Sequence, residues 1–226
     1  MAKKVGVARN NIICLDVETG EFSARENPMT QVALLSFKID SLEEISRYSS
    51  YVKPYDNLIY TIGAEKATGI TLKHVNSGIS VEETVEMLCQ EFTKANTAEI
   101  KTKKPALLGH NVLFDIAFIQ YAFNKCKVDI SKFLDCKEDA FGNYVPLFFD
   151  TMILSRLKWG HDETMTSFTL GKCCEKAGVD LFDAHDAFND VMGTKSLFFY
   201  LTNHLRTGKN TSEQSETVRY RKSFQF

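Results

Sequence analysis

The feature that most constrains the fold is an apolar run near the N-terminus that ends on two acids. Residues 11–17 read NIICLDV, and Glu18 follows them. A short run of apolar and β-branched residues between polar residues predicts a buried strand. Because alternate side chains of a strand point to the same face, Asp16 and Glu18 are predicted to lie on one side. Two carboxylates on one side repel each other, so this pair favours a solvated edge or a site where a cation lies between them.

The rest of the chain predicts an α/β layered domain. Strands are predicted at 31–40 and 45–53, in the segment ALLGHN after Pro105, and at 147–150. Helices are predicted at 64–76 with a break at Gly69, after a Ser80–Glu83 capping box, and at 112–125, 151–159, 167–177 and 185–204. The three leading strands predict an antiparallel meander, and the later strands arrive after helices and predict parallel additions. We therefore expect a mixed sheet with helices on both faces.

Composition bounds the class of protein. The 226 residues fit one domain, predicted over residues 1–206, with a polar and flexible C-terminal tail over 207–226. The formal net charge of −2 excludes a generally basic nucleic-acid-binding surface, so any nucleic acid must be held locally. The six cysteines include no C-x-x-C pair, which argues against a zinc knuckle or a zinc hydrolase. No signal peptide or membrane-spanning run is recognisable, so we expect a cytoplasmic protein with no membrane partner.

Other acids could join the first pair. Asp115 begins a predicted helix after a buried strand, where the helix macrodipole alone would account for it. His185 and Asp190 lie on neighbouring parts of the last predicted helix, and Asp190 lies near its apolar stripe, where an acid is unfavourable unless a cation pairs with it. Asp183 and Asp186 are alternatives in the turn before that helix. Ligands in open α/β sheets gather at the carboxyl ends of strands, and Asp16, Glu18 and Asp115 are all predicted to lie there.

The order of these residues and their flanking sequences resemble the DEDDh, or DnaQ-like, exonuclease superfamily. Its three motifs are matched by LDVETG at 15–20, LLGHNVLFDIAFI at 107–119 and HDAFND at 185–190. The connecting segments ATGIT at 67–71, FFDTMILSRL at 148–157 and SFTLGKCCEKAGV at 167–179 are similar as well. One departure is the sequence D-x-E-T-G, where many members have D-x-E-T-T-G, followed by a longer stretch. This departure concerns the choice of substrate more than catalysis.

The resemblance implies a fold and an activity. The fold is ribonuclease H-like, with a five-stranded mixed sheet and helices on both faces. The activity is metal-dependent 3′–5′ exonuclease action that releases nucleoside monophosphates from DNA, in proofreading or repair, as in the proofreading subunit of bacterial replicative DNA polymerase. The alternatives are an RNA 3′ exonuclease or oligoribonuclease-like trimming enzyme, and a non-catalytic binding module. Since every acidic position of the family is filled, the non-catalytic alternative is disfavoured.

The resemblance also implies roles for individual residues. It implies two divalent cations, Mg²⁺ or Mn²⁺, with His185 as the general base and with four metal-binding acids: Asp16, Glu18, Asp115 and Asp190. It implies contacts with the single-stranded 3′ end of DNA, or of RNA, from Thr19, Gly20, His110, Asn111 and Phe114. For His110 the alternative is a polar residue that closes a strand, and for Phe114 it is core packing. The basic and aromatic end, VRYRKSFQF, is either a docking peptide for a DNA polymerase subunit or sliding clamp, or a frayed end.

Overall fold

The computed structural model describes residues 11–56, 58–96, 104–181 and 186–207. Within these residues there are seven strands and seven α-helices. The strands are β1 (Asn11–Thr19), β2 (Met29–Lys38), β3 (Glu44–Tyr51), β4 (Ala106–Gly109), β5 (Cys136–Glu138), β6 (Tyr144–Pro146) and β7 (Phe148–Asp150). The helices are α1 (Ile62–Thr68), α2 (Leu72–Ser77), α3 (Val81–Asn96), α4 (Leu113–Lys125), α5 (Thr151–Trp159), α6 (Leu170–Ala177) and α7 (Ala187–Thr207).

Five of the strands form the main sheet, in the order β3-β2-β1-β4-β7. The first three strands pair antiparallel, as the predicted meander requires. β4 pairs parallel with β1, and β7 pairs parallel with β4, after the helices that connect them. The predicted five-stranded mixed sheet is therefore confirmed, and β1 lies at its centre.

Helices cover both faces of β1. Ile13, Leu15 and Val17 belong to a core cluster with apolar residues of α3 and α4. Ile12 and Cys14 belong to a second cluster, which α7 completes from the opposite face. A strand that is buried on both faces reads as a nearly continuous apolar run, which is the pattern that predicted β1.

Local signals placed several helix ends correctly. The Ser80 N–H donates to Glu83 Oε2 over 2.8 Å, and the Glu83 N–H donates to Ser80 Oγ over 3.1 Å. This is the predicted capping box at the start of α3. Gly69 and Gly178 adopt left-handed φ values of 71° and 67° at the ends of α1 and α6, where glycine avoids the steric penalty of a side chain.

Other boundaries were wrong. Neither a strand nor a helix was predicted in residues 127–146, but they contain a 3-10 turn at Ile130–Lys132 and the antiparallel β5–β6 hairpin, which is separate from the main sheet. The loop of the hairpin closes through Asp139, whose side chain accepts the N–H groups of Phe141 and Asn143. Helix α6 begins three residues later than predicted, because the Thr169 hydroxyl caps it by accepting the Lys172 N–H.

The predicted domain boundary stays a prediction, because residues 208–226 lie outside the described residues. The start predicted for the last helix, at 185, lies outside them too, and α7 is observed from Ala187. In the part of the chain that is described, no helix combines the length and the apolar character needed to cross a bilayer.

Candidate active site

Three carboxylates converge where β1 meets the first turn of α7. Ligand oxygens of Asp16, Glu18 and Asp190 all lie within 4.8 Å of one another. Asp16 and Glu18 share one face of β1, as their spacing predicted, and it is the face that Cys14 contributes to the α7 core. All three acids are half-buried, so the cluster lies at the rim of the core.

Asp115 approaches the same segment of β1 from α4. Its side chain is buried, and its Oδ1 accepts the backbone N–H of Val17 over 3.0 Å. Val17 separates Asp16 from Glu18, so this bond holds the fourth acid against the strand that carries the first two. Four of the five residues in the predicted catalytic set are thereby brought together.

The electrostatics of the cluster are unfavourable for ionised acids alone. Burial, reinforced by the charges of Asp190 and Asp186, raises the pKa of Asp16 to about 8. Burial and the charge of Asp16 raise the pKa of Glu18 to about 9. The pKa of Asp115 is also raised, chiefly by burial and then by Asp16. Nearby positive charge favours the ionised forms, so a bound cation would reverse these shifts.

The donor set fits a hard divalent cation. Among the described residues, no hydrogen-bond donor reaches the side chains of Asp16 or Glu18, so their oxygens are available as ligands. Carboxylate oxygens are the ligands that Mg²⁺ and Mn²⁺ prefer. Asp16 and Glu18 have raised pKa values and no donor among the described residues, so a cation would stabilise their ionised forms.

The start of α7 shows how Asp186, one of the alternative acids from the sequence, is used. Asp186 caps the helix, because its Oδ1 accepts the N–H groups of Phe188 and Asn189 over 3.1 and 3.2 Å. Its carboxylate is thus committed to the helix start, and Asp190 is the acid that joins the cluster. His185 and Asp183 lie outside the described residues, so the role of His185 as general base stays a prediction.

Asp150 is a site residue for which sequence analysis gave no role. Its Oδ1 accepts the N–H groups of Asn111, Met152 and Ile153, and its Oδ2 accepts that of Val112. This carboxylate caps α5 and also fixes the turn between β4 and α4, from which Asp115 projects. The signal in the sequence was an N-cap Asp directly after the apolar segment LFF. Asn111 adopts a φ of 64°, so it contributes a strained turn that this bond holds in place.

His110 links three parts of the chain. Its Nε2–H donates to the carbonyl oxygen of Phe168 over 2.8 Å, and its Nδ1 lies 2.9 Å from Thr151 Oγ1. Burial lowers the pKa of this imidazole. These contacts give His110 a structural function between β4, α5 and the segment before α6.

The segment after Glu18 is tightly packed. The Thr19 hydroxyl donates to the Glu21 carbonyl over 2.7 Å, and the Gly20 N–H donates to the Pro28 carbonyl over 2.8 Å. A Cβ on Gly20 would lie 2.9 Å from the carbonyl oxygen of Ile59, so only glycine fits here without movement. The Gly20 amide, expected to approach substrate, is thus engaged within the protein.

Two aromatic residues that lie close to the acids in the sequence differ in their exposure. Phe114 is half-buried, and its ring lies 5.0 Å from that of Phe118, which is in the core. Phe22, four positions after Glu18, is 90% exposed. Sequence analysis did not single out Phe22, because exposure of an aromatic residue is visible only in the fold.

Comparison with known proteins adds the family. The family model for RNase_T, described as an exonuclease, matches residues 13–198. The chain is 25% identical over 200 residues to ribonuclease T of Haemophilus influenzae, covering 86% of this chain and 80% of that protein. It is 24% identical over 198 residues to ribonuclease T of Vibrio parahaemolyticus, covering 84% and 85%.

Solved structures of exonuclease I share the fold. A structure of exonuclease I that addresses its processivity superposes with a TM-score of 0.69 and 21% identity, over 88% of this chain and 42% of that one. E. coli exonuclease I in complex with a dT13 oligonucleotide gives a TM-score of 0.67 and 21% identity, over 86% and 41%. The chain therefore spans less than half the length of these structures. Neither ribonuclease T nor exonuclease I is a polymerase subunit, so the expected kinship with the proofreading subunit in particular finds no support in them.

Proposed function

This chain belongs to the exonuclease family RNase_T, and we propose that it hydrolyses single-stranded DNA from the 3′ end and releases nucleoside monophosphates. The coarser activity, 3′–5′ exonuclease, goes with the family. The observation that carries the proposal is the convergence of Asp16, Glu18 and Asp190 within 4.8 Å, with Asp115 hydrogen-bonded to the same strand segment.

Exonucleases of this family use divalent metals, and we propose that the acids of this chain bind two ions. Asp16, Glu18 and Asp190 would hold the first cation, and Asp16 and Asp115 would contribute to the second. Two bound Mg²⁺ or Mn²⁺ ions would stabilise the attacking and leaving oxygens of an in-line displacement. The rigid sheet and the first turns of α4 and α7 hold the ligands before any ion binds.

His185 acts as the general base in this proposal. It immediately precedes Asp186, the cap of α7, in the sequence, and it begins the motif HDAFND that ends on Asp190. An imidazole with an ordinary pKa of about 6.5 accepts a proton readily near neutral pH, which suits deprotonation of the attacking water.

Two exposed side chains suit a single strand: Phe22, close to Glu18 in the sequence, and Ile59, whose backbone contacts Gly20. Phe22 is almost fully exposed, and Ile59, whose carbonyl lies against Gly20, is largely exposed too. Exposed aromatic and apolar side chains can stack on unpaired bases of any sequence. Because the chain carries a net charge of −2, phosphate binding must depend on the metal ions and local contacts more than on overall attraction.

RNA is the second candidate substrate, and a specific observation favours it. The similarity to proteins named ribonuclease T covers 80% or more of their length, whereas the solved structures that hold DNA oligonucleotides are matched over only about two fifths. Both candidates use the same chemistry at phosphate, so the acids do not distinguish them.

The test uses 5′-labelled single-stranded DNA, duplex DNA and RNA of matching sequence, each with Mg²⁺, Mn²⁺ or EDTA. We expect a descending ladder with metal and intact substrate with EDTA, and loss of the ladder in the Asp16→Asn variant. Intact substrate under every metal condition contradicts the proposal. If kcat/KM for RNA exceeds that for DNA tenfold, RNA replaces DNA as the proposed substrate.

Docking on a replication partner is a separate proposal. It depends on residues 218–226, VRYRKSFQF, whose basic and aromatic character suits a peptide that binds a polymerase subunit or sliding clamp. Deletion of residues 208–226 should abolish association with that partner and leave the exonuclease ladder unchanged. Unaltered association after the deletion contradicts docking through the tail.

A further inference from the structure

Gln31 is a buried amide on a face of β2 that is otherwise apolar. Ala33, Leu35 and Phe37 alternate along this face and are fully buried, and Gln31 itself is 5% exposed. A buried primary amide is unfavourable unless both its oxygen and its nitrogen find partners. The partners of Gln31 therefore explain why an amide lies there.

Both partners belong to the start of α7. Gln31 Nε2 donates to Asp186 Oδ2 over 3.3 Å, and Gln31 Oε1 accepts the backbone N–H of Ala187 over 3.3 Å. The other Asp186 oxygen accepts the next two N–H groups of the helix, from Phe188 and Asn189. Between them, Gln31 and Asp186 satisfy three N–H groups that the first turn of a helix would leave without partners.

These bonds connect the two halves of the acidic cluster. Gln31 is the direct cross-strand partner of Glu18 in the β1–β2 register. Asp190 lies one helical turn beyond Asp186, and its N–H donates to the Asp186 carbonyl over 3.0 Å. The amide thus joins the strand pair that carries Glu18 to the helical turn that carries Asp190.

We propose that Gln31 is a positioning residue that sets the separation between the Glu18 and Asp190 carboxylates. This inference rests on the proposed metal-binding role of those acids. Ligand geometry has to be held within about 0.5 Å for a productive site, and supporting hydrogen bonds outside the ligands supply that precision. Gln31 touches neither substrate nor metal, so its effect passes through α7.

The experiment compares the unaltered protein with Gln31→Leu and Gln31→Glu. Leucine removes both hydrogen bonds, whereas the glutamate substitution keeps an acceptor for the Ala187 N–H but repels Asp186. Free Mn²⁺ is measured by electron paramagnetic resonance during titration of metal-free protein. We expect a 10- to 100-fold weaker apparent affinity for Mn²⁺ in both variants, the range typical of lost supporting contacts to ligands.

The kinetics separate positioning from simple loss of folding. A positioning defect raises the metal concentration that gives half-maximal rate, leaves KM for the oligonucleotide unchanged and recovers kcat at saturating Mn²⁺. A smaller folded fraction lowers kcat at every metal concentration and leaves the half-saturating concentration unchanged. The matched control is Thr30→Val, which alters a buried polar residue one position away on β2 and should leave Mn²⁺ affinity unchanged.

A charge-exchanged double variant supplies the rescue. In Gln31→Glu with Asp186→Asn, the donor and acceptor exchange sides, and asparagine remains a good helix cap. This pair should recover most of the Mn²⁺ affinity that Gln31→Glu loses, and it carries the test if Gln31→Leu does not fold. Unchanged affinity in Gln31→Glu, or no recovery in the double variant, overturns the inference while leaving the proposed function intact. Failure of the unaltered protein to bind Mn²⁺ overturns both.

Discussion

Acids lie at the ends of two strands of the main sheet, β7 and β1, which lie on either side of β4, and the fold surrounds these acids in opposite ways. Asp150 ends β7 and accepts four backbone N–H groups. Asp16 and Glu18, on β1, receive no hydrogen bond from any residue that the structure describes. One carboxylate thus accepts hydrogen bonds from the backbone, whereas the other two have oxygens available to a cation.

The difference teaches how to separate a structural carboxylate from a functional one. The oxygens of Asp150 already have hydrogen-bond partners within the protein. Acids that are crowded together without donors are destabilised as ions, as the raised pKa values of Asp16 and Glu18 record. Only acids of the second kind would have their ionised forms stabilised by a cation that binds from solution.

The largest expected effect is on catalysis, in Asp16→Asn. Loss of a ligand to both proposed ions should lower kcat by ~10³-fold or more, equivalent to several kcal/mol of transition-state stabilisation. The metal-free protein should be at least as stable as before, because a neutral amide replaces an acid whose charged form is disfavoured. Exonuclease rates and urea denaturation measure the two effects. Asp180→Asn, at an exposed acid, is the control. Full activity in Asp16→Asn would contradict the proposed difference between Asp16 as a functional acid and Asp150 as a structural one.

The converse change is Asp150→Ala. It should lower the free energy of unfolding by about 2–4 kcal/mol, because a helix cap is lost and buried amides lose their acceptor. Asp150→Asn, which keeps one acceptor oxygen, should lose less. Urea denaturation of metal-free protein provides the measurement. A loss below about 0.5 kcal/mol in the alanine variant would show that the four amides contribute little.

The next expected effect is stabilisation of the protein by bound metal, which should depend on Asp16 and not on Asp150. Mg²⁺ or Mn²⁺ at a hundredfold excess over its dissociation constant should stabilise the protein by about 2.7 kcal/mol. Thermal denaturation with metal and with EDTA measures this gain. It should vanish in Asp16→Asn and persist in Asp150→Asn, and equal gains in both variants would contradict the assignment of ligands.

The smallest expected effect is the dependence of stability on pH without metal. Because the folded-state pKa values of Asp16 and Glu18 are about 8 and about 9, the native state binds more protons than the unfolded state from roughly pH 4 upwards. Stability should therefore fall as the pH rises from about 4 to about 9. Partial exposure screens the effect, so we expect a fall of about 2–4 °C in Tm, or about 1 kcal/mol. A Tm that rises across this window in EDTA would reverse the sign, and added Mg²⁺ should flatten the slope.

The sequence predicted the acidic cluster better than it predicted the residues whose hydrogen bonds hold the cluster in place. Asp16 and Glu18 follow from an apolar run and a period of two, and the capping box at Ser80 follows from local spacing alone. Gln31 and Asp186 are 155 residues apart, and Asp150 is 39 residues from Asn111, so no local pattern records either contact.

The β5–β6 hairpin was missed for a different reason. Its strands contain three residues each, which is too short to display a period of two. Polar residues and Gly142 indicated a loop, and they do form one, but the pairing on either side of it depends on contacts with the 3-10 turn and α4 that a single sequence does not reveal.

The register between β1 and β2 shifts immediately after Glu18, since Glu18 pairs with Gln31 but Thr19 pairs with Met29. This irregularity separates the regular pairing that holds the acids from the segment that follows them. The missing second threonine of D-x-E-T-T-G falls beyond Glu18, so both acids keep their places on β1. A single deletion between residues 12 and 16 would turn the acids towards α3 and α4, because alternate positions exchange faces.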